Sequence, residues 1–279
     1  MRFALCNEVL AALPLARQCA LAAALGYDGL EIAPFTLSDA PDTLDAATAT
    51  QIRREVESAG LVITGLHWLL VKPAGLSLTT RDAAVRTRTL EVMRRLCALC
   101  AALGGGVLVH GSPAQRRIAD GDTHDVARAR LAEALAAAAE AAADAGVVYC
   151  IEPLSRNETA LINTVAEAAE LVREIGHPNL RTMIDCSAAG LTETQSVPAL
   201  IDQWLPTGLV AHVQINDPNR RAPGQGDMRF APIAAALRRN AYRGTVAVEP
   251  FDYVPDGPAA AAFAAGYWRG VSEALDGDA

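Results

Sequence analysis

Hydrophobic positions along the chain fall into two alternating patterns. Short, nearly unbroken apolar runs occur at Phe3–Cys6, Gly29–Ala33, Leu61–Trp68, Gly106–His110, Val147–Glu152, Arg181–Asp185, Leu209–Ile215 and Thr245–Glu249. Longer alanine-rich stretches with helical spacing lie between them, at 14–25, 43–59, 82–103, 122–145, 164–176, 196–204, 230–240 and 258–274. The runs predict strands buried on both faces, and the stretches predict helices that cover them. Pro14 and Thr164 read as helix starts, and Gly26, Gly60 and Gly146 as stops. Eight β-α repeats without a Ser/Pro/Gly-rich linker predict one closed parallel (β/α)8 TIM barrel, a single domain over 1–279. A doubly wound open sheet is the alternative. The first run, however, leads into Asn7-Glu8-Val9-Leu10 without the glycine-rich phosphate turn that such a sheet usually carries. Gly104-Gly105-Gly106 precedes a strand and reads as a helix stop and tight turn.

Composition narrows the partners. The 279 residues are 51% hydrophobic and 20% charged, a soluble globular balance. A net charge of −8 with scattered arginines lacks the basic footprint of a nucleic-acid binder. No apolar stretch is long and uncharged enough for a membrane partner, and the segment Met1-Arg2-Phe3-Ala4-Leu5-Cys6-Asn7-Glu8 does not read as a signal peptide, so the expectation is a cytoplasmic protein. Lys72 is the only lysine among 24 basic residues, which argues against imine chemistry on a buried lysine. The six cysteines are too few for a disulfide scaffold, and Cys97-Ala98-Leu99-Cys100 reads as helix packing.

Catalytic groups of such a barrel project from the C-terminal ends of its strands, so a polar residue that ends an apolar run is informative. His67, Glu152, Asp185, the trio His212/Gln214/Asn216, and Glu249 stand there. Buried acids are costly unless paired, hydrogen-bonded or metal-bound, and three of them end equivalent strands. Three carboxylates and one neutral side chain around a barrel mouth suit Mn²⁺, Mg²⁺ or a similar divalent ion. His67 with Trp68, His110, and Asn7 with Glu8 read as pocket residues at the ends of the third, fourth and first strands. Glu31, inside the run Leu30-Glu31-Ile32, needs a partner, either substrate or an arginine. Arg116-Arg117 and Arg220-Arg221 are each able to hold an anion.

The strings Tyr149-Cys150-Ile151-Glu152-Pro153-Leu154 with Glu158-Thr159, Met183-Ile184-Asp185, Ala211-His212-Val213-Gln214-Ile215-Asn216-Asp217 with Asn219-Arg220, and Ala247-Val248-Glu249-Pro250-Phe251 follow one another in order. Together they resemble the xylose-isomerase-like TIM-barrel sugar isomerase/epimerase family, and most closely its ketose 3-epimerases of the D-tagatose 3-epimerase type. The resemblance implies that Glu152, Asp185 and Glu249 are metal ligands and that Glu158 and Arg220 contact substrate hydroxyls. It implies a fourth ligand, the second histidine of a His-x-His pair. Here His212 matches the first histidine, and Gln214 stands at the ligand position. A glutamine oxygen makes the site more oxygen-rich, which favours Mn²⁺ or Mg²⁺ over Zn²⁺, with Co²⁺ and Zn²⁺ as further candidates. The family's substrate-binding histidine three residues after the aspartate is replaced by Ala188, which leaves room for a bulkier substrate or leaves one hydroxyl unread. A dimer or tetramer is the implied assembly.

The implied chemistry is proton transfer at a carbon next to a carbonyl. A divalent ion stabilises the enediolate, and Glu152 and Glu249 act as the acid/base pair. His67, His110, Trp68, Asn7 and His212 complete the expected substrate pocket. A lyase or dehydratase acting on a keto-sugar or keto-glycoside uses the same intermediate and is the main alternative. An apurinic-site endonuclease would need more histidine ligands and a basic face, and a non-catalytic sugar- or metal-binding module would not need acids on both sides of one site.

Overall fold

A computed structural model describes residues 1–277, so the last two positions of the expected 1–279 span lie outside the described residues. Eight parallel strands pair in chain order and close on themselves: β1 (Arg2–Cys6), β2 (Gly29–Ile32), β3 (Val62–Leu66), β4 (Val107–His110), β5 (Val148–Ile151), β6 (Leu180–Asp185), β7 (Val210–Ile215) and β8 (Thr245–Val248). Each apolar run therefore becomes a strand, within one or two residues at either end. The helices are α1 (Leu15–Leu25), α2 (Ala46–Ser58), α3 (Ala83–Leu103), α4 (His124–Ala145), α5 (Val165–Ile175), α6 (Cys186–Thr192), α7 (Val197–Trp204), α8 (Ala231–Arg239) and α9 (Gly257–Gly277). Their starts follow capping chemistry: Asp45, Thr123 and Thr164 accept hydrogen bonds from Thr48, Val126 and Glu167 N–H at 2.8, 3.3 and 3.1 Å. Gly26 and Gly146 end α1 and α4 in the left-handed conformation. None of the described helices is long and apolar enough to cross a membrane.

Alternation along the strands sorts side chains between two apolar layers. Leu30, Leu66, Leu108, Tyr149 and Val213 face the helices in the main core. Val107, Val109, Cys150 and Met183 pack together inside the barrel, and Ala4, Cys6 and Ala247 form a small interior cluster of their own. The β2–β3 pairing slips by one residue, with Leu30 opposite Ile63 but Glu31 opposite Gly65. This bulge re-aims the end of β3, and His67 Nδ1 comes within 3.8 Å of Glu31 Oε1. Gly65 also permits the close approach of β4. A Cβ there would overlap the Val107 carbonyl oxygen and lie 2.6 Å from Val107 Cγ1. Because the obstacle is backbone, Gly65→Ala is expected to destabilise the barrel by about 1–3 kcal/mol, read from denaturant melts.

Candidate active site

Glu152 directly follows β5, Asp185 ends β6 and Glu249 directly follows β8, so the barrel places three acids around one end. One carboxylate oxygen from each lies within 4.8 Å of the others, and all three residues are buried. Asp185 Oδ1 accepts from Ala188 N–H at 2.6 Å, capping α6, while its Oδ2 has no hydrogen-bond partner among the described residues. Both Glu249 carboxylate oxygens and the carbonyl oxygen of Gln214 are likewise buried and unpartnered among the described residues. Asn216, expected at the site, clamps it from behind: it accepts from Ser187 N–H at 2.8 Å and donates to the Glu249 carbonyl at 3.0 Å.

Burial dominates the electrostatics. It pushes the Glu152 carboxyl well above the usual carboxylate range, with Asp185 adding and Arg116 opposing. It does the same to Glu249, with Glu152 adding, and lifts Asp185 to about 7. An uncompensated acid cluster of this kind is costly in a low-dielectric setting. The unpartnered oxygens and the all-oxygen donor set fit a hard divalent cation held by Glu152, Asp185 and Glu249.

Glu31 answers to neither expected partner. On the opposite side of the barrel from its own strand, His212 Nε2 lies 2.8 Å from Glu31 Oε2, and Gln214 Nε2 donates to Glu31 Oε1 at 2.9 Å. Burial alone would raise the Glu31 carboxyl, but His212 and His67 outweigh it and hold the carboxyl below its ordinary value. A second group, Cys6, Glu8, His67 and Glu249, borders the first through Glu249. There His67 Nε2 lies 2.7 Å from Glu8 Oε2 and 3.8 Å from Glu249 Oε1. Burial pulls the imidazole down, and Glu8 and Glu31 more than reverse this.

A two-armed cleft opens over Glu152 and Asp185. One arm, about 300 Å³, runs past Asp185, Ala188 and Leu191; the other, about 470 Å³, runs past Trp68, Ser112 and Arg117. Glu152, Glu158, Arg220 and Phe251 line both. Trp68 and Phe251 stack with ring centroids 5.7 Å apart, and the Arg220 guanidinium sits 4.7 Å over Phe251. Ser155 N–H and Oγ donate to Glu158 Oε2 at 3.1 and 2.7 Å, and Arg220 Nη1 lies 3.9 Å from Glu158 Oε1. Three cleft residues, Trp68, Ser112 and Arg220, adopt positive φ (51°, 36° and 70°), a clustering of backbone strain at the mouth.

Four expected pocket residues, Asn7, His67, His110 and His212, line neither arm of the cleft. Asn7 accepts from Ala33 N–H and donates to Gln18 and Thr36, so it ties β1 to the following segments. His110 lies on the helix-facing side of β4, since Val109 points inward; its Nδ1 is 2.8 Å from the Tyr149 hydroxyl, and burial, with Arg116 nearby, holds its imidazole down to about 3. His67 lies against Glu8 and His212 against Glu31. The aromatic wall contributed by Phe251 and the complete burial of Arg116, whose three guanidinium nitrogens lack partners among the described residues, had no sequence signal beyond the residue types.

Eight parallel strands closed in chain order, with three buried acids clustered at their ends, define a (β/α)8 barrel protein with its candidate site at the strand ends. The profile of the xylose isomerase-like TIM barrel family matches residues 19–270, and the chain belongs to that family. D-psicose 3-epimerase of Agrobacterium fabrum is 30% identical over 82% of this chain and 76% of its own length. Among solved structures, an L-ribulose 3-epimerase superposes with a TM-score of 0.84 at 24% identity, covering 99% of this chain and 96% of its own. The 3-keto-D-glucoside 4-epimerase of E. coli superposes at 0.82 with 22% identity, covering 96% and 99% respectively; these two likenesses concern the fold.

Proposed function

We propose that this protein is a divalent-metal-dependent epimerase or isomerase of a keto-sugar or related polyol. The observation that carries the reading is the buried cluster of Glu152, Asp185 and Glu249, of which Glu152 and Asp185 line a sugar-sized cleft, in a chain 30% identical to a D-psicose 3-epimerase. A cation held by these three acids, with the Gln214 oxygen as fourth ligand, would supply the positive charge that stabilises an enediolate. Glu152 and Glu249 stand on strands that are not neighbours in the barrel, which lets them approach a bound carbon from different sides. One takes the proton from the carbon next to the carbonyl, and the other delivers a proton to the opposite face. Asp185 has one oxygen committed to the α6 cap and serves as a ligand only. Glu158 and Arg220 orient hydroxyls, while Trp68 and Phe251 offer an apolar wall to the sugar.

The test is incubation with a panel of ketoses and keto-glycosides in D₂O with Mn²⁺, followed by NMR. The expected result is deuterium at the carbon next to the carbonyl together with the epimer or isomer. Release of a leaving group instead would establish the lyase, and exchange with no member of the panel would sink the reading. Metal binding has its own signature. Mn²⁺ at a hundredfold excess over its Kd is expected to stabilise the fold by about 2.7 kcal/mol, a rise of roughly 5 °C in Tm that EDTA reverses.

A further inference from the structure

A glutamine amide has two chemically different ends. Its carbonyl oxygen is able to ligate a cation, and its NH₂ group is not. In this structure the NH₂ end is committed: Gln214 Nε2 donates to Glu31 Oε1 at 2.9 Å. The carbonyl end is buried with no partner among the described residues. Glu31 is completely buried, and an ionised carboxylate accepts hydrogen bonds without donating any. Turning the amide over would set two acceptor oxygens against each other at the same short range. Strand register sets Gln214 among the acid-bearing strands: it pairs with Asp185 on one side and with Ala247, two residues before Glu249, on the other.

We propose that Glu31 is a positioning residue, which holds the Gln214 amide with its carbonyl oxygen toward Glu152, Asp185 and Glu249 and so makes a glutamine serve as a ligand of the divalent cation. The inference rests on the cation reading given above. It assigns a purpose to a buried acid that the proton-transfer chemistry does not use. It also explains how a chain with glutamine in place of an imidazole keeps a neutral donor correctly turned, since supporting partners of this kind fix ligand orientation in metal sites generally.

The test uses the full-length metal-free protein with Mn²⁺ alone as the calorimetric titrant, in wild type, Glu31→Gln, Gln214→Leu and the double variant. A glutamine at 31 offers either an acceptor or a donor to Gln214, so the amide loses its fixed sense. Glu31→Gln is expected to weaken Mn²⁺ binding about 10–100-fold. The double variant is expected to be no weaker than Gln214→Leu, because Glu31 acts through Gln214. The visible spectrum of the Co²⁺-loaded proteins should change in the same way for both single variants, a readout that a purely structural Glu31 would leave at wild type. Mn²⁺ affinity of Glu31→Gln within twofold of wild type, fully multiplicative losses in the double variant, or an unchanged Co²⁺ spectrum would each overturn the proposal. Should Glu31→Gln fail to fold, Glu31→Asp withdraws the carboxylate while keeping its charge, and undiminished Mn²⁺ affinity in that variant counts equally against it. Wild-type protein that binds no Mn²⁺ would remove the cation reading along with this one.

Discussion

Glu249→Gln is expected to fold normally and to lose about 10³-fold or more in kcat with Mn²⁺ saturating, since a positioned acid–base group contributes typically 10²–10⁴-fold and this one also holds the cation. Glutamine keeps the shape of the side chain but cannot take up a proton. Glu152→Gln should behave alike, and in both variants exchange of solvent deuterium into substrate should fall with turnover. Stability in EDTA should move the other way. Both Glu249 oxygens are buried without partners among the described residues, and burial with Glu152 nearby disfavours the charged form, so removing that charge relieves the metal-free fold. Glu249→Gln should therefore melt at or above wild type in EDTA, and both variants should lose most of the stabilisation that Mn²⁺ gives. Full exchange activity in both would dismiss the acid/base assignment, and a metal-free melt well below wild type would dismiss the electrostatic account of the cluster.

The barrel was legible because parallel strands covered on both faces leave continuous apolar runs, which need no partner information to be seen. The acids were legible for a related reason: a charge that ends such a run sits where the barrel opens. What was not legible depended on closure or on strand phase. Glu31 meets His212 and Gln214, residues more than 180 positions away on a strand that does not pair with its own, and only a closed barrel brings them together. His110 ends its run as Glu152 does, yet the alternation that turns Val109 inward turns His110 out toward Tyr149. Helix α6 is seven residues long, too short for a periodic signal, and its start is Asp185 itself acting as cap. Gln214 combines both cases: the family resemblance marks its position, while the commitment of its NH₂ group to Glu31 arises only when the barrel closes.

Gly111→Ala is expected to reduce kcat/KM about 100-fold with little loss of stability, because a displacement of about 1 Å in a reacting group costs on that order. Gly111 follows β4 directly, and a Cβ at this position would overlap Glu152 Oε2. The obstacle is the far end of a side chain that can swing away, so the fold accommodates the methyl group and the carboxylate is displaced from the proton-transfer position. Gly65→Ala presents the same added carbon to a backbone carbonyl, which cannot swing, and there the loss should appear in the melt. The two alanines thus separate positions the barrel needs for closure from positions it needs for chemistry. Gly111→Ala should also weaken Mn²⁺ binding, since Glu152 is a member of the acid cluster, and excess Mn²⁺ should restore occupancy without restoring the rate. A Gly111→Ala enzyme with wild-type kcat/KM would show that the observed placement of Glu152 is not the one in which the proton moves.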